Sequence, residues 1–216
     1  MLMPALQQAR DRAKTASCMT NLKNISNAAT FYADQYQVAR MPYEMPNYWP
    51  TLLSNGKFTG TLEASSDKLC DTYGNPLRGL FCCPAEQRKP QAYQEGFKYS
   101  HYGMNWFLTY NHLNPANSNN PARWHCKRPM SNPSKTMQFQ DKSTKCDLYA
   151  DYQDYARTPT DVPYYFRHSG ESLNATFLDG HAATLSLNKV PVLSNEAKPN
   201  QFHYWRDARR TEWFDR

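Results

Sequence analysis

MLMPALQQARDRAKTASCMTNLKNISNAATFYADQYQVAR, residues 1–40, decides the fold. After Pro4 it runs to Arg40 without proline or glycine. Alanine recurs throughout, and Ala, Leu, Gln, Arg and Lys all favour helix. Leu2, Leu6, Ala9, Ala13 and Ala16 step by fours and threes. Cys18, Leu22, Ile25, Ala29, Tyr32 and Tyr36 step likewise after a small register shift. The spacing predicts one amphipathic helix. Pro4 fits its first turn, where a missing N–H costs nothing, and Met41-Pro42 predicts its end. Some 36 helical residues would span roughly 54 Å, longer than a compact body of this chain length. One end should therefore protrude or meet a partner.

Outward from that helix the chain changes character. Leu, Ile, Val and Phe number only 32 of 216 residues, with Ile25 the single isoleucine. Fifteen Tyr, ten Phe and five Trp compensate, since each buried aromatic removes a large area from water. Residues 41–60 read as a packed loop, with one short helical turn at 49–54 before Asn55-Gly56. A turn is expected at 73–76, and residues 79–84 (GLFCCP) read as a short strand ended by proline. Residues 99–110 suit an aromatic strand, with Gly103 as a bulge or close approach. Residues 111–133 form an Asn- and Pro-rich loop. Residues 134–141 alternate Met137 and Phe139 against Thr136, Gln138 and Gln140, as a half-buried strand does. Residues 147–161 are a Tyr- and Asp-rich loop, and 162–167 a strand candidate. Residues 174–178 and 181–187 flank Asp179-Gly180 and predict a β-hairpin with a type I′ turn. The polar tail after Pro191 carries an aromatic segment at 202–214. No internal repeat is present.

Six cysteines, Cys18, Cys70, Cys82, Cys83, Cys126 and Cys146, match a disulfide framework. Fifteen pairings exist; those joining the neighbours Cys82 and Cys83 are strained. Among the rest we take Cys18–Cys83, Cys70–Cys82 and Cys126–Cys146, a choice that spacing does not force. Zinc competes with this reading, but there is no C-x-x-C or H-x-x-x-H pattern, so no metal site is expected from the cysteines. Disulfides imply an oxidising compartment. The formal charge of +6 is spread from Arg10 to Arg216, which describes a solvated surface rather than a nucleic-acid footprint. The longest apolar run falls far short of the roughly twenty residues of a membrane span, and no signal peptide is visible.

Particular words in this chain resemble pseudopilin-like proteins with a prepilin-type N-terminus and an H-x(9)-D-G C-terminal domain. They are MLMPALQQARDRAKTASCMTNLKNI at 1–25, CPAE at 83–86, YSHYGMN at 99–105, NPSKTMQFQD at 132–141 and RHSGESLNATFLDGH at 167–181. They occur in the family's order across most of the chain. Two departures stand out. Ten residues, not nine, separate His168 from Asp179; an extra residue near Gly170-Glu171 would absorb this. The leader, its cleavage site and the hydrophobic segment of such proteins are also missing, so the expectation is a soluble fragment whose upstream segment carries export and membrane attachment.

The resemblance implies an α+β, pilin-like fold: a long N-terminal α-helix (residues 1–40) packed on an antiparallel β-sheet with long irregular loops (residues 41–216). It implies a non-catalytic structural subunit of a type II secretion-like pseudopilus or related surface filament. Such a subunit self-assembles or joins other pilin-like subunits through its N-terminal helix. It sits in the inner membrane before assembly and in the periplasm or at the cell surface afterwards, without nucleic acid. The other function class is a secreted or surface-anchored recognition module for a polysaccharide or protein, with the aromatics of 99–110 as a platform.

Three site readings follow. His168 and Asp179 have the residue types of a base and its orienting carboxylate, but no nucleophile accompanies them. We expect structural roles: Asp179-Gly180 for the turn, His168 as a hydrogen-bonded residue near the hairpin base. No catalytic residue and no cofactor is expected. By likeness to calcium-binding major pseudopilins, Asp147, Asp151, Asp154 and Asp161 are the calcium candidates, although they lack D-x-D-x-D-G spacing.

Overall fold

A computed structural model describes residues 3–36, 49–59, 79–86, 100–105, 133–142, 149–150, 166–186 and 189–190. Helix α1 spans Met3–Tyr36, 34 residues without a break, about 51 Å at 1.5 Å per residue. Three of its hydroxyl side chains bond within the helix: Thr15, Thr20 and Thr30 each donate to the carbonyl four residues back. The predicted stop at Met41-Pro42 lies outside the described residues. Helix α2, Trp49–Asn55, occupies the expected short turn.

The strands are β1 (Tyr102–Asn105), β2 (Met137–Asp141), β3 (Tyr149–Ala150), β4 (Ser172–Phe177) and β5 (Ala182–Ser186). They form one sheet in the order β3-β1-β2-β4-β5. Four strands are antiparallel neighbours; the two-residue β3 departs from the expected pattern by pairing parallel to β1. α1 packs across β2, β4 and β5, an α+β arrangement.

The core between helix and sheet contains Cys18, Leu22, Ile25, Ala29 and Tyr32 of α1. Trp49 stands at its centre, fully buried, with ring centroids 5.6 Å from Phe81 and 5.0 Å from Phe139. The aromatic substitute for missing aliphatics is thus used in the core itself. The stripe is buried only in its second part. Leu6 is 54% exposed, Ala9, Ala13 and Ala16 are exposed, and Tyr36 at the far end is 51% exposed.

Four local expectations are corrected. Residues 79–84 form bends, not a strand: the Cys82 N–H donates back to the Gly79 carbonyl and the Glu86 N–H to that of Cys83, so the backbone groups serve turns. Gly103 pairs regularly opposite Gln140, and the irregularity lies in β2 between Met137 and Phe139. β2 is not half-buried: Thr136 and Gln140 are fully buried, and Gln138 Oε1 accepts from Ser26 of α1 at 2.7 Å, because both sheet faces are covered. Finally, the hairpin is not closed by a type I′ turn. Gly180 alone has positive φ, 88°, while that turn needs two such residues. The Gly180 N–H donates to the Phe177 carbonyl and the Phe177 N–H to that of His181, the pattern of a three-residue loop ending in a left-handed glycine. Of the 162–167 strand candidate, Phe166 and Arg167 are described and neither is in a strand.

Candidate functional site: a buried polar cluster under the helix

Side chains alternate across a sheet, and β4 uses this to place polarity under the helix. Leu173, Ala175 and Phe177 share one face, and Ser172, Asn174 and Thr176 share the other. The Asn174 Nδ2 donates to the Thr15 carbonyl of α1 at 3.1 Å, so the polar row faces the helix. Just before β4, His168 and Ser172 exchange backbone hydrogen bonds across a tight turn. Gly170 and Glu171 both take positive φ there, 75° and 52°. This turn delivers the His168 ring to the same place. Asp141, the last residue of β2, arrives from the neighbouring strand.

The loop 79–86 closes the cluster. The His101 N–H donates to the Phe81 carbonyl at 2.9 Å, and the Cys83 N–H donates to His101 Nδ1 at 2.8 Å. Arg167 pairs with Glu86 at 2.7 Å, with both side chains at most 5% exposed, and also donates to the carbonyls of His101 and Lys142. So fastened, Cys83 forms a disulfide with Cys18, with Cα atoms 5.3 Å apart. The expected Cys18–Cys83 pairing is therefore present. Cys70, Cys126 and Cys146 lie outside the described residues, and with them the other two pairings.

His168 and Asp141 form a pair, Nε2 to Oδ2 3.0 Å, with neither side chain exposed. Hydrogen-bond accounting assigns the protons. The Thr15 hydroxyl donates to the Asp11 carbonyl, so in its 3.2 Å contact with His168 Nδ1 it accepts. Nδ1 therefore carries hydrogen. Nε2 also lies 3.2 Å from the donor Nδ2 of Asn174, and a proton lies between Nε2 and Oδ2, since two lone pairs so close in a dry site repel. Asp141 Oδ2 further accepts the Asn174 N–H at 2.7 Å. Its other oxygen, Oδ1, is buried with no hydrogen-bond partner. A cleft of about 150 Å³ beside the cluster is lined by Asp11, Lys14, Arg167 and Ser169, among others.

The sequence singled out His168 and Asp179 together; the structure separates them. Asp179 instead pairs with His181 on the exposed hairpin, Nδ1 to Oδ1 2.5 Å. Asp141, Thr15 and Asn174 were missed. A signal existed for Asp141: it shares parity with Phe139, and the two do share the helix-facing side, whereas the irregularity after Met137 puts that residue on the opposite face. The calcium candidates Asp147, Asp151, Asp154 and Asp161 lie outside the described residues. Tyr102 and Met104 of the proposed aromatic platform are buried in the core.

The Thr15 hydroxyl is committed to a carbonyl and the two sulfurs to each other, so no nucleophile among these residues is poised for His168 to activate. What the arrangement does is lock: α1 is joined to the loop 79–86 by a disulfide and to His168 and β4 by hydrogen bonds at Thr15, while the His168–Asp141 pair ties that turn to β2. Compared with known proteins, the chain matches no family model, no curated protein and no solved structure.

Proposed function

We propose that this chain is a non-catalytic structural subunit of a type II secretion-like pseudopilus or related surface filament, with a pilin-like fold. In this reading it joins further copies, or other pilin-like subunits, through α1, sits in the inner membrane before assembly, and works in the periplasm or at the cell surface. One observation carries the reading. From Pro4 onward the first buried residue of α1 is Cys18, about 22 Å from the start of the helix. Residues 4–10 are all exposed, including Leu6 and Ala9. An unbroken helix whose stripe is covered by its own body only in the second part offers the first part to neighbours. The buried lock beneath Thr15 and Cys18 supports the same reading, since it would hold the body rigidly to a helix under lateral load.

The test is photo-crosslinking in cells that express the protein from its complete gene. A benzophenone amino acid at Leu6 should capture a second copy or another long-helix subunit. The same group at Lys135, exposed on the body, should capture none. Equal labelling from both positions, or none from Leu6, would remove the filament reading. Glycan binding by the full-length protein without assembly would install the recognition module in its place.

A further inference from the structure

Cys18, Cys83, Asp141 and His168 come from a helix, a loop, a strand end and a turn. Each presents one ligand atom, and all four atoms lie within 4.8 Å of one another, every residue buried. We propose that reduction of the Cys18–Cys83 bond turns this lock into a zinc site with these four residues as ligands. The inference does not depend on the filament reading.

The donor set suits the metal. Two thiolates and an imidazole are soft and borderline ligands that favour Zn²⁺ over Ca²⁺ or Mg²⁺. Zinc bonds of about 2.0–2.3 Å give tetrahedral edges of roughly 3.3–3.8 Å, so the four side chains need only small adjustments. The supporting shell is already in place. His168 Nδ1–H donates to Thr15, which fixes the ring with Nε2 toward the other ligands, as metal-binding histidines are commonly held. The Asn174 N–H steadies one oxygen of Asp141. The other, Oδ1, is buried without a partner, a costly arrangement for a carboxylate oxygen that a cation would relieve.

The chemistry balances. A dithiol reductant gives two electrons and two protons to the disulfide; its own sulfurs join, and Cys18 and Cys83 become thiols. Zn²⁺ then displaces both thiol protons and the proton between His168 and Asp141. The metal thus replaces one cross-link between α1 and the body with another, and the helix stays fastened in either redox state. Sequence spacing hides such a site because its ligands stand 18, 83, 141 and 168 residues along the chain.

The experiment uses the full chain, reduced by a phosphine because dithiols would compete for metal. Zn²⁺ and Co²⁺ are then titrated separately. We expect one Zn²⁺ per chain, an intense thiolate-to-Co²⁺ absorption, and an X-ray absorption shell of two sulfurs and two nitrogen or oxygen atoms. Asp141→Asn and His168→Gln, each first isolated oxidised with the Cys18–Cys83 bond verified by peptide mapping, should weaken zinc binding at least tenfold. Cys126→Ser should leave it unchanged. No uptake by the reduced protein, uptake insensitive to Cys18→Ser, or a shell of four sulfurs would overturn the proposal. The absorption shell is read on the unsubstituted chain, so it decides the matter even where a variant fails to fold.

Discussion

Among the described residues there are two histidine–aspartate pairs, and they differ in almost everything except residue type. His181 and Asp179 sit two residues apart on a hairpin, 2.5 Å between Nδ1 and Oδ1, with side chains 44% and 34% exposed. His168 and Asp141 are distant in sequence, 3.0 Å apart and fully buried. The shorter contact is the weaker one energetically. Water competes for the exposed pair and screens it, so such pairs contribute about 0–1 kcal/mol. In the buried pair neither partner can return to water without unfolding. Losing one partner there strands the other, at a cost of about 3–5 kcal/mol. Distance alone is thus a poor guide to the worth of an ion pair; what each partner would do if left alone is a better one.

His168→Ala should therefore give the largest effect. It strands the Asp141 carboxylate, removes the acceptor hydroxyl's partner at Thr15, and opens a void beside the disulfide. We expect a loss of about 3–5 kcal/mol, measured by urea unfolding of the oxidised protein. His181→Ala should cost well under 1 kcal/mol by the same measurement, chiefly the stacking of its ring on Phe177 at 4.2 Å. Similar midpoints for the two variants would break the comparison.

The two pairs were not equally legible in the sequence. Asp179-Gly180 stands between two alternating runs, so a turn there follows from local chemistry. Only its type escaped, because the same dipeptide serves a two-residue and a three-residue loop, and the choice rests on the register of β4 against β5. The long helix was legible for the same local reason, with neither glycine nor proline after Pro4. Which part of its stripe would be buried was not legible, since Ala9 and Ala29 look alike until a body packs on one of them. His168 could be recognised as belonging near the hairpin, but not its partner. The carboxylate is delivered by β2, the strand paired directly with β4, and tertiary pairing of this kind leaves no spacing to read. Parity within β2 was the one trace. The same reasoning explains residues 79–84, where two cysteines looked like strand residues but are drawn into turns by the contacts that seat Cys83.

A second, smaller effect sharpens the contrast on the exposed side. Gly180 has φ 88°, and an added Cβ would meet nothing within 4 Å. The cost of Gly180→Ala is then backbone strain alone, about 1–2 kcal/mol. It should exceed the cost of His181→Ala, because at this hairpin the turn backbone matters more than the ion pair. The comparison is a paired urea titration. If Gly180→Ala is neutral while His181→Ala is not, side-chain pairing rather than turn geometry holds the hairpin.

The smallest effect belongs to Asp179, and pH isolates it. Slight desolvation pulls its carboxyl upward, but the hydrogen bonds from the His181 ring and backbone N–H outweigh this and hold it below the ordinary value of 3.8. A carboxylate lowered in the folded state binds protons more readily when unfolded. Its stabilising contribution is therefore complete above the unfolded value and disappears as pH falls through the folded one. Asp179→Asn keeps a turn-forming residue before Gly180 while removing that titration. The two proteins should differ by a few tenths of a kcal/mol near pH 6 and converge in acid, below the folded value. A gap that persists at low pH would mean that Asp179 acts through the turn and not through its charge. A gap at pH 6 as large as that of His168→Ala would mean that exposure does not separate the two pairs.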